Sequence, residues 1–119
     1  MKLSLPKLLL HLEGATVLAV SLLLYAQSGG TWLLFALLVL APDLSMLGYL
    51  AGNSAGAAVY DIFHSYPLPT ALATYGWLSG NPLALQLALI WLAHIGADRL
   101  LGYGLKYPSG FKDTHLSRV

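Results

Sequence analysis

The sequence predicts an all-α membrane protein, a four-helix bundle whose helices run antiparallel in an up-down-up-down order. Of its 119 residues, 57% are hydrophobic and only 9% are charged, whereas soluble domains usually carry about 25% charged residues. The apolar residues also fall into four stretches close to the roughly 20 residues needed to cross a bilayer. Most of the protein surface is therefore expected to face lipid rather than water.

Turn and capping signals separate the four stretches. The first ends at the Ser-Gly-Gly sequence of residues 28–30, and the fourth begins at Asn81 and Pro82, which are typical of a helix N-cap and first helical position. Short connections make neighbouring helices antiparallel. The predicted spans are about Pro6–Gln27, Thr31–Leu50, Ser54–Leu78 and Pro82–Gly104.

Prolines are expected to break the third helix at Pro67 and Pro69. A proline has no N–H, so these two leave the carbonyls of Phe63 and Ser65 without their helical donors, and Pro42 has the same effect in the second helix. Irregular backbone at membrane depth is tolerated where it lines an enclosed cavity. A simple kink that adjusts helix tilt explains the prolines equally well.

Charge distribution predicts the topology. Residues 1–104 form the four-span bundle in this interpretation, and residues 105–119 form a surface tail, solvated or folded back so that His115 covers the site. By the positive-inside rule, cations near both ends place both termini in the cytoplasm. No basic patch indicates nucleic-acid binding, and the absence of cysteine excludes disulfides and thiolate metal sites. The cations are Lys2, Lys7, Arg99, Lys106, Lys112 and Arg118.

Each predicted span contains one acidic residue, and Arg99 is the only Lys or Arg well inside the bundle to oppose them. A charged side chain at mid-membrane costs about 2.5–3.5 kcal/mol on insertion scales, so such residues mark functional sites by default. At a rise of 1.5 Å per residue along each helix, all four acids are expected to lie in the cytoplasmic half of the membrane. These acids are Glu13, Asp43, Asp61 and Asp98.

Two histidines share helix faces with two of these acids, which suggests a metal site. Asp61 and His64 are spaced i, i+3, and His94 and Asp98 are spaced i, i+4. The pattern is similar to di-metal carboxylate bundles. Oxygen and imidazole ligands without sulfur suit Zn, Fe or Mn, as one ion or two. The predicted ligands are Glu13, Asp43, Asp61, His64, His94 and Asp98.

The leading functional hypothesis is a metal-dependent enzyme, a hydrolase or di-metal oxidoreductase, acting on a lipid or hydrophobic substrate. Glu13 or Asp61 is expected to serve as a catalytic base, and Arg99 or Lys106 to hold an anionic headgroup. A bound metal would activate water and polarise a carbonyl or phosphoryl oxygen.

Other interpretations of the same residues stay open. Protonated carboxyls and neutral imidazoles can simply form interhelical hydrogen bonds, and Asp98 can pair with the adjacent Arg99. A proton or metal-ion carrier or channel subunit, acting as a homo-oligomer, also uses intramembrane acids and a broken helix. A third alternative is haem ligation by His64 and His94. Candidates to orient the ligands are Ser45, Tyr60, Ser65 and Tyr66.

Several long motifs resemble a known family, the uncharacterised bacterial integral-membrane proteins described as domain of unknown function 4260. The motifs are HLEG at 11–14, LAPDLSMLGYLAG at 40–52, Y-x-x-x-H-x-Y at 60–66, IWLAHIGADRLLGYGLKYP at 90–108 and FKDTHL at 111–116. The resemblance implies a small multi-pass protein of the bacterial inner membrane, without an established activity. It also implies that Lys106, Asp113 and His115 matter, and Asp61 departs from the family's frequent Asn.

Overall fold

The structure, a computed structural model, describes residues 4–119 and is mostly helical. Three of its helical segments, Leu5–Gln27, Trp32–Ala51 and Pro82–Leu101, are long and apolar enough to cross a membrane. Three of the four predicted spans are thus found as helical segments of the expected length and apolar composition. The elements are α1 (Leu5–Gln27), α2 (Trp32–Leu38), a 3₁₀ helix (Ala41–Ala51), α3 (Asn53–Phe63), α4 (Pro67–Ser79), α5 (Pro82–Leu101), β1 (Lys106–Tyr107), β2 (Gly110–Thr114) and α6 (His115–Arg118).

The predicted start of the last long helix is confirmed in detail. The Asn81 side chain accepts a hydrogen bond from the Ala84 amide, and Pro82 occupies the first helical position of α5. Gly102 ends the helix with a φ of 98°, a left-handed conformation that glycine adopts without a Cβ penalty.

Helices α1 and α5 pack closely because both carry glycine at their crossing. A Cβ added to Gly96 would lie 2.7 Å from the Leu18 amide nitrogen and 2.8 Å from the Gly14 carbonyl oxygen. A Cβ on Gly14 would overlap the Cβ of Arg99. The pair therefore acts as a small-residue contact of the kind that lets membrane helices approach backbone to backbone.

The second predicted helix is divided by a change in hydrogen bonding. After α2 the chain continues as a 3₁₀ helix of 11 residues, although 3₁₀ runs longer than about 4 residues are uncommon. Pro42 cannot donate, and the Asp43 amide bonds to the carbonyl of Leu40 three residues earlier. This tighter turn sets the position of Asp43.

The third predicted helix is also divided, and the break lies directly before Pro67. Residues 64–66 separate α3 from α4, and Pro67 begins α4. The carbonyl of Phe63 accepts from the Trp91 indole at 2.8 Å, and the carbonyl of His64 accepts from the Arg99 guanidinium at 2.6 Å. Side chains of α5 thus satisfy backbone groups that the break leaves free.

The C-terminal segment adds a β-hairpin to what the sequence predicts as an all-α chain. Strands β1 and β2 pair antiparallel, with Lys106 opposite Thr114, and both contact α3. The Lys106 amide donates to Asp61 Oδ1 at 2.6 Å, and Leu116 is 1% exposed. This segment is therefore a folded cap on α3, with its own buried residues.

Candidate metal centre

Four side chains from three parts of the chain converge on one point. Asp43 comes from the 3₁₀ helix, His64 from the break after α3, and His94 and Asp98 from successive turns of α5. One ligand atom from each lies within 4.8 Å of all the others. Of the six predicted metal ligands, the structure brings these four together.

The distances within this cluster are short. The two Nε2 atoms of His64 and His94 are 3.2 Å apart. Asp43 Oδ1 lies 3.0 Å from the first Nε2 and 3.1 Å from the second. Asp98 Oδ2 lies 3.3 Å from His94 Nε2 and 3.6 Å from His64 Nε2.

A backbone carbonyl orients the His94 imidazole. Its Nδ1 lies 2.6 Å from the carbonyl oxygen of Val39. That carbonyl is available because residue 42 is proline and the Asp43 amide bonds to Leu40 instead. The same local tightening therefore both positions Asp43 and frees the acceptor that fixes His94.

The His64 imidazole is oriented in a parallel way. Its Nδ1 lies 2.9 Å from the carbonyl oxygen of Tyr60, which is free because the His64 amide bonds to Asp61 rather than continuing the α-helix. The ring stacks on the Tyr60 ring at 3.8 Å between centroids, and Ser45 Oγ lies 3.5 Å from Nδ1. Tyr60 and Ser45, two predicted orienting residues, thus contact His64.

These contacts identify Nδ1 as a hydrogen-bond donor in both rings. A carbonyl only accepts, so each Nδ1 carries a proton, and each neutral imidazole presents its lone pair at Nε2. Metal-bound histidines typically donate their other ring N–H to a carbonyl or carboxylate in this way. With both rings neutral, two Nε2 lone pairs face each other beside two carboxylate oxygens, an arrangement of acceptors only; a proton on either Nε2 would instead be donated to the Asp43 carboxylate at 3.0–3.1 Å.

A metal ion fits this arrangement. Tetrahedral ligands each about 2.1 Å from a zinc-like ion lie about 3.4 Å from one another. The separations that involve a histidine nitrogen run from 3.0 to 3.6 Å, and all four ligand atoms lie within 4.8 Å of one another. Among the described residues, no Lys or Arg lies within 4 Å of either carboxylate of the cluster. A divalent cation would supply the missing positive charge.

Burial differs among the four ligands. The side chains of His64 and His94 are 0% and 4% exposed, that of Asp98 is 16% exposed, and that of Asp43 is 34% exposed. The centre is therefore enclosed on the histidine side and open beside Asp43.

The other predicted site residues lie elsewhere. Asp61 accepts the Lys106 amide of β1, and Glu13 lines a separate cavity together with Arg99. Arg99 donates to the carbonyls of His64 and Tyr103 and pairs with no carboxylate in the described chain. The structure therefore does not bring Glu13, Asp61 or Arg99 into the four-residue cluster.

Sequence reasoning missed the two orienting carbonyls and the role of the C-terminal segment. The sequence contains Pro42, which removes the α-helical donor to Leu38, but the carbonyl of Val39 is freed by the shift of the Asp43 amide to Leu40. The ammonium of Lys106 lies 3.7 Å from the Phe111 ring centroid and 4.6 Å from that of Tyr60, the ring that stacks on His64. The hairpin thereby reinforces the wall of the cluster through cation–π contacts.

A pH-sensitive contact holds the C-terminal segment in place. The Leu105 amide donates to His115 Nδ1 at 2.7 Å. Burial lowers the pKa of His115, and the charge of Arg99 acts in the same direction. The unfolded segment then binds more protons than the folded one, so stabilisation is present above the ordinary histidine pKa of about 6.5 and is lost as the pH falls below it.

We expect hydrogen exchange at the Leu105 amide to reveal this loss. After correction for the intrinsic pH dependence, its protection should fall between about pH 8 and about pH 5. His115→Asn is the control, because the Asn oxygen can replace Nδ1 as acceptor and does not titrate. An equal loss of protection in that variant would assign the pH dependence to another group.

Comparison with known proteins identifies a family for this chain. Searches of curated proteins and of solved structures find no match to this chain. Residues 7–119 match the family described as domain of unknown function, DUF4260. That match covers nearly the whole chain, including all four residues of the cluster, and confirms the resemblance seen in the sequence motifs. The chain therefore belongs to the DUF4260 family.

Proposed function

We propose that this chain is an integral membrane protein that binds a divalent metal ion through Asp43, His64, His94 and Asp98 and uses it as an enzyme. The observation that carries the proposal is the 3.2 Å approach of two Nε2 atoms whose protons sit on the opposite ring nitrogens. Such an approach between lone pairs is unfavourable unless a cation lies between them, either a metal ion or a proton, and the two adjacent carboxylates favour the divalent ion. Zn, Fe and Mn all accept this ligand set.

The geometry favours one ion over the two-ion centre that the sequence allows. The four ligand atoms surround a single point, whereas two-metal sites hold their ions about 3.5–4 Å apart and need bridging carboxylates. Further oxygens would have to come from Glu13 and Asp61, but Glu13 lines a separate cavity and Asp61 accepts the Lys106 amide.

We propose a topology of four crossings with both termini on the cytoplasmic side of the bacterial inner membrane. Helices α3 and α4 together form the broken third crossing in this arrangement, beside the three segments that are each long and apolar enough to cross a membrane. The many exposed leucines of α1, α2 and the 3₁₀ helix support a lipid-facing surface. The cations near both ends of the chain support the orientation.

An apolar cavity beside the metal centre supports a lipid or other hydrophobic substrate. Its volume is about 330 Å³, and its walls include Pro42, Phe63 and Trp91. None of the four cluster residues lines this cavity, but Pro42 and Phe63 directly precede Asp43 and His64 in the chain. The space suits part of an acyl chain placed next to the ion.

The ion would act as a Lewis acid and lower the pKa of a bound water, which suits hydrolysis; a redox-active ion would instead suit oxidation. The residues of the chain orient this chemistry. The carbonyls of Val39 and Tyr60 hold the two imidazole rings in position. The side chain of Asp43 is 34% exposed, so water and substrate would approach from that side.

Metal-ion or proton transport is the second candidate, and one observation favours it. The 3₁₀ helix and the break at 64–66 place irregular backbone on two segments that meet at the cluster, as in transporters with discontinuous helices. Haem between His64 and His94 is disfavoured, because two carboxylates lie at the same point and haem ligation does not require them.

Elemental analysis tests the metal site. Protein purified in detergent without chelator should contain about one Zn, Fe or Mn per chain, and His64→Ala and His94→Ala should lose it. His11→Ala is the matched control, since His11 lies outside the cluster and bonds to the Leu100 carbonyl. Metal-free wild-type protein, or equal metal in all variants, would contradict the proposal.

Transport and catalysis are separated by a second measurement. Liposomes that contain the protein and an ion-sensitive dye should show no influx of Zn²⁺, Mn²⁺ or protons when the ion is a resident cofactor. Influx that His94→Ala abolishes would favour transport instead.

A further inference from the structure

A second, polar cavity lies between α1, the break at 64–66, α5 and the C-terminal segment. Its volume is about 190 Å³, and it shares no lining residue with the metal cluster. The C-terminal segment closes one side of it through Leu105 and His115. The residues that line it are Leu10, Glu13, Ser65, Tyr66, Arg99, Leu105 and His115.

Arg99 gives this cavity an uncompensated positive charge. Arg99 is only 6% exposed. Among residues 4–119, no carboxylate lies within 4 Å of its guanidinium group. Two of its five N–H groups donate to the carbonyls of Tyr103 and His64. Three donors remain, and a buried charge without a partner is strongly unfavourable.

Two further donors line the same cavity. Since His115 Nδ1 accepts from the Leu105 amide, the neutral ring carries its proton on Nε2, which contacts no acceptor in the described part of the chain. The Tyr66 hydroxyl likewise forms no hydrogen bond to residues 4–119 and lies near enough to Arg99 to interact with it electrostatically. A guanidinium, an imidazole N–H and a phenol O–H together form a donor set for an anion.

Glu13 and the cavity size narrow the class of ligand. The Glu13 carboxylate is exposed at the rim and forms no ion pair with a described residue. An anion with an attached hydroxyl or ammonium group would satisfy both Arg99 and Glu13. The volume is below the 300–1,000 Å³ of typical pockets for drug-sized ligands, so it suits a headgroup rather than a whole lipid.

We propose that this cavity binds the phosphate group of a phosphate ester through Arg99, Tyr66 and His115, with Glu13 facing the hydroxyl or ammonium group of the ester. Guanidinium binds phosphate by paired, charge-assisted hydrogen bonds. The site is independent of the metal centre, although Arg99 also donates to the carbonyl of the ligand His64.

Inorganic phosphate is the first probe, titrated into detergent-solubilised protein and followed by ³¹P NMR. Arg99→Lys, Tyr66→Phe and His115→Asn should each weaken its binding about tenfold. The last variant keeps the acceptor for the Leu105 amide and removes only the Nε2 donor. Tyr75→Phe, an exposed tyrosine of α4, is the matched control and should bind as wild type does.

Native mass spectrometry distinguishes a lipid from a soluble ester. Protein extracted from vesicles of equal phosphatidylglycerol and phosphatidylcholine should retain one of these phospholipids, and Tyr66→Phe should retain much less of it, when the source is a lipid headgroup. Binding of inorganic phosphate without lipid retention would assign a soluble phosphate ester. Absence of both signals would overturn the proposal.

The metal centre requires its own control. Phosphate binding should persist after chelator treatment and in His94→Ala, and the three cavity variants should keep their metal content. Phosphate binding that disappears with the metal would place the anion on the ion and overturn the cavity site. The reverse result, with phosphate bound and no metal found, would contradict only the proposed metal function.

Discussion

Replacing both acids of the cluster, Asp43→Asn with Asp98→Asn, is expected to stabilise the metal-free protein and to abolish its stabilisation by metal. Without an ion, two carboxylates and two imidazole lone pairs repel one another, and amides relieve this repulsion. With the ion at about 100 times its Kd, wild-type protein should gain about 2.7 kcal/mol in free energy of unfolding. Thermal unfolding in detergent, with and without Zn²⁺ or Mn²⁺, measures both effects.

The sign of the change in metal-free protein is the decisive result. If the cluster were only a network of protonated groups joined by hydrogen bonds, the double variant would lose stability, and metal would change neither protein. Asp61→Asn is the control, because its amide oxygen can still accept the Lys106 amide and it lies outside the cluster. That variant should keep the wild-type response to metal.

Gly96→Ala is expected to destabilise the protein by about 2 kcal/mol, the usual range of overpacking being about 1–3 kcal/mol. The added Cβ would meet the Leu18 amide nitrogen at 2.7 Å and the Gly14 carbonyl at 2.8 Å, so α1 and α5 must separate. Alanine is the better helix former by about 1 kcal/mol, so intrinsic propensity predicts the opposite sign. Thermal or denaturant unfolding in detergent measures the difference.

Gly110→Ala is the matched control for that substitution. Gly110 in β2 has no left-handed φ, and a Cβ there would meet nothing within 4 Å. The free energy of unfolding of Gly110→Ala should stay within about 0.5 kcal/mol of the wild-type value. Equal stability of Gly96→Ala and wild type would mean that the two helices do not pack at this crossing.

Helix positions were predictable because capping and length are local properties. Asn81, Pro82 and the prolines of the break act within a few residues, and the i, i+4 spacing of His94 and Asp98 follows from helical geometry alone. The change from α to 3₁₀ hydrogen bonding after Leu38 was not predictable in this way, since tertiary contacts of the Val39 carbonyl help to maintain it.

Glu13 and Asp61 show where reasoning from helix position stops. The count of residues gives the height of a side chain along its helix, but not the rotation of that helix about its axis. Both acids have heights similar to the cluster, yet one faces a second cavity and the other faces β1. For the C-terminal hairpin, the Pro-Ser-Gly sequence of residues 108–110 was an available turn signal.

The spread of the four ligands along the chain limits when the ion can bind during biosynthesis. The first ligand, Asp43, enters the membrane well before α5 delivers His94 and Asp98, and until then only an acid and one imidazole are in place. Under the proposed function, metal capture would therefore follow formation of the last long helix. Once bound, the ion joins segments 55 residues apart (Asp43 to Asp98) and acts as a lock on the finished assembly.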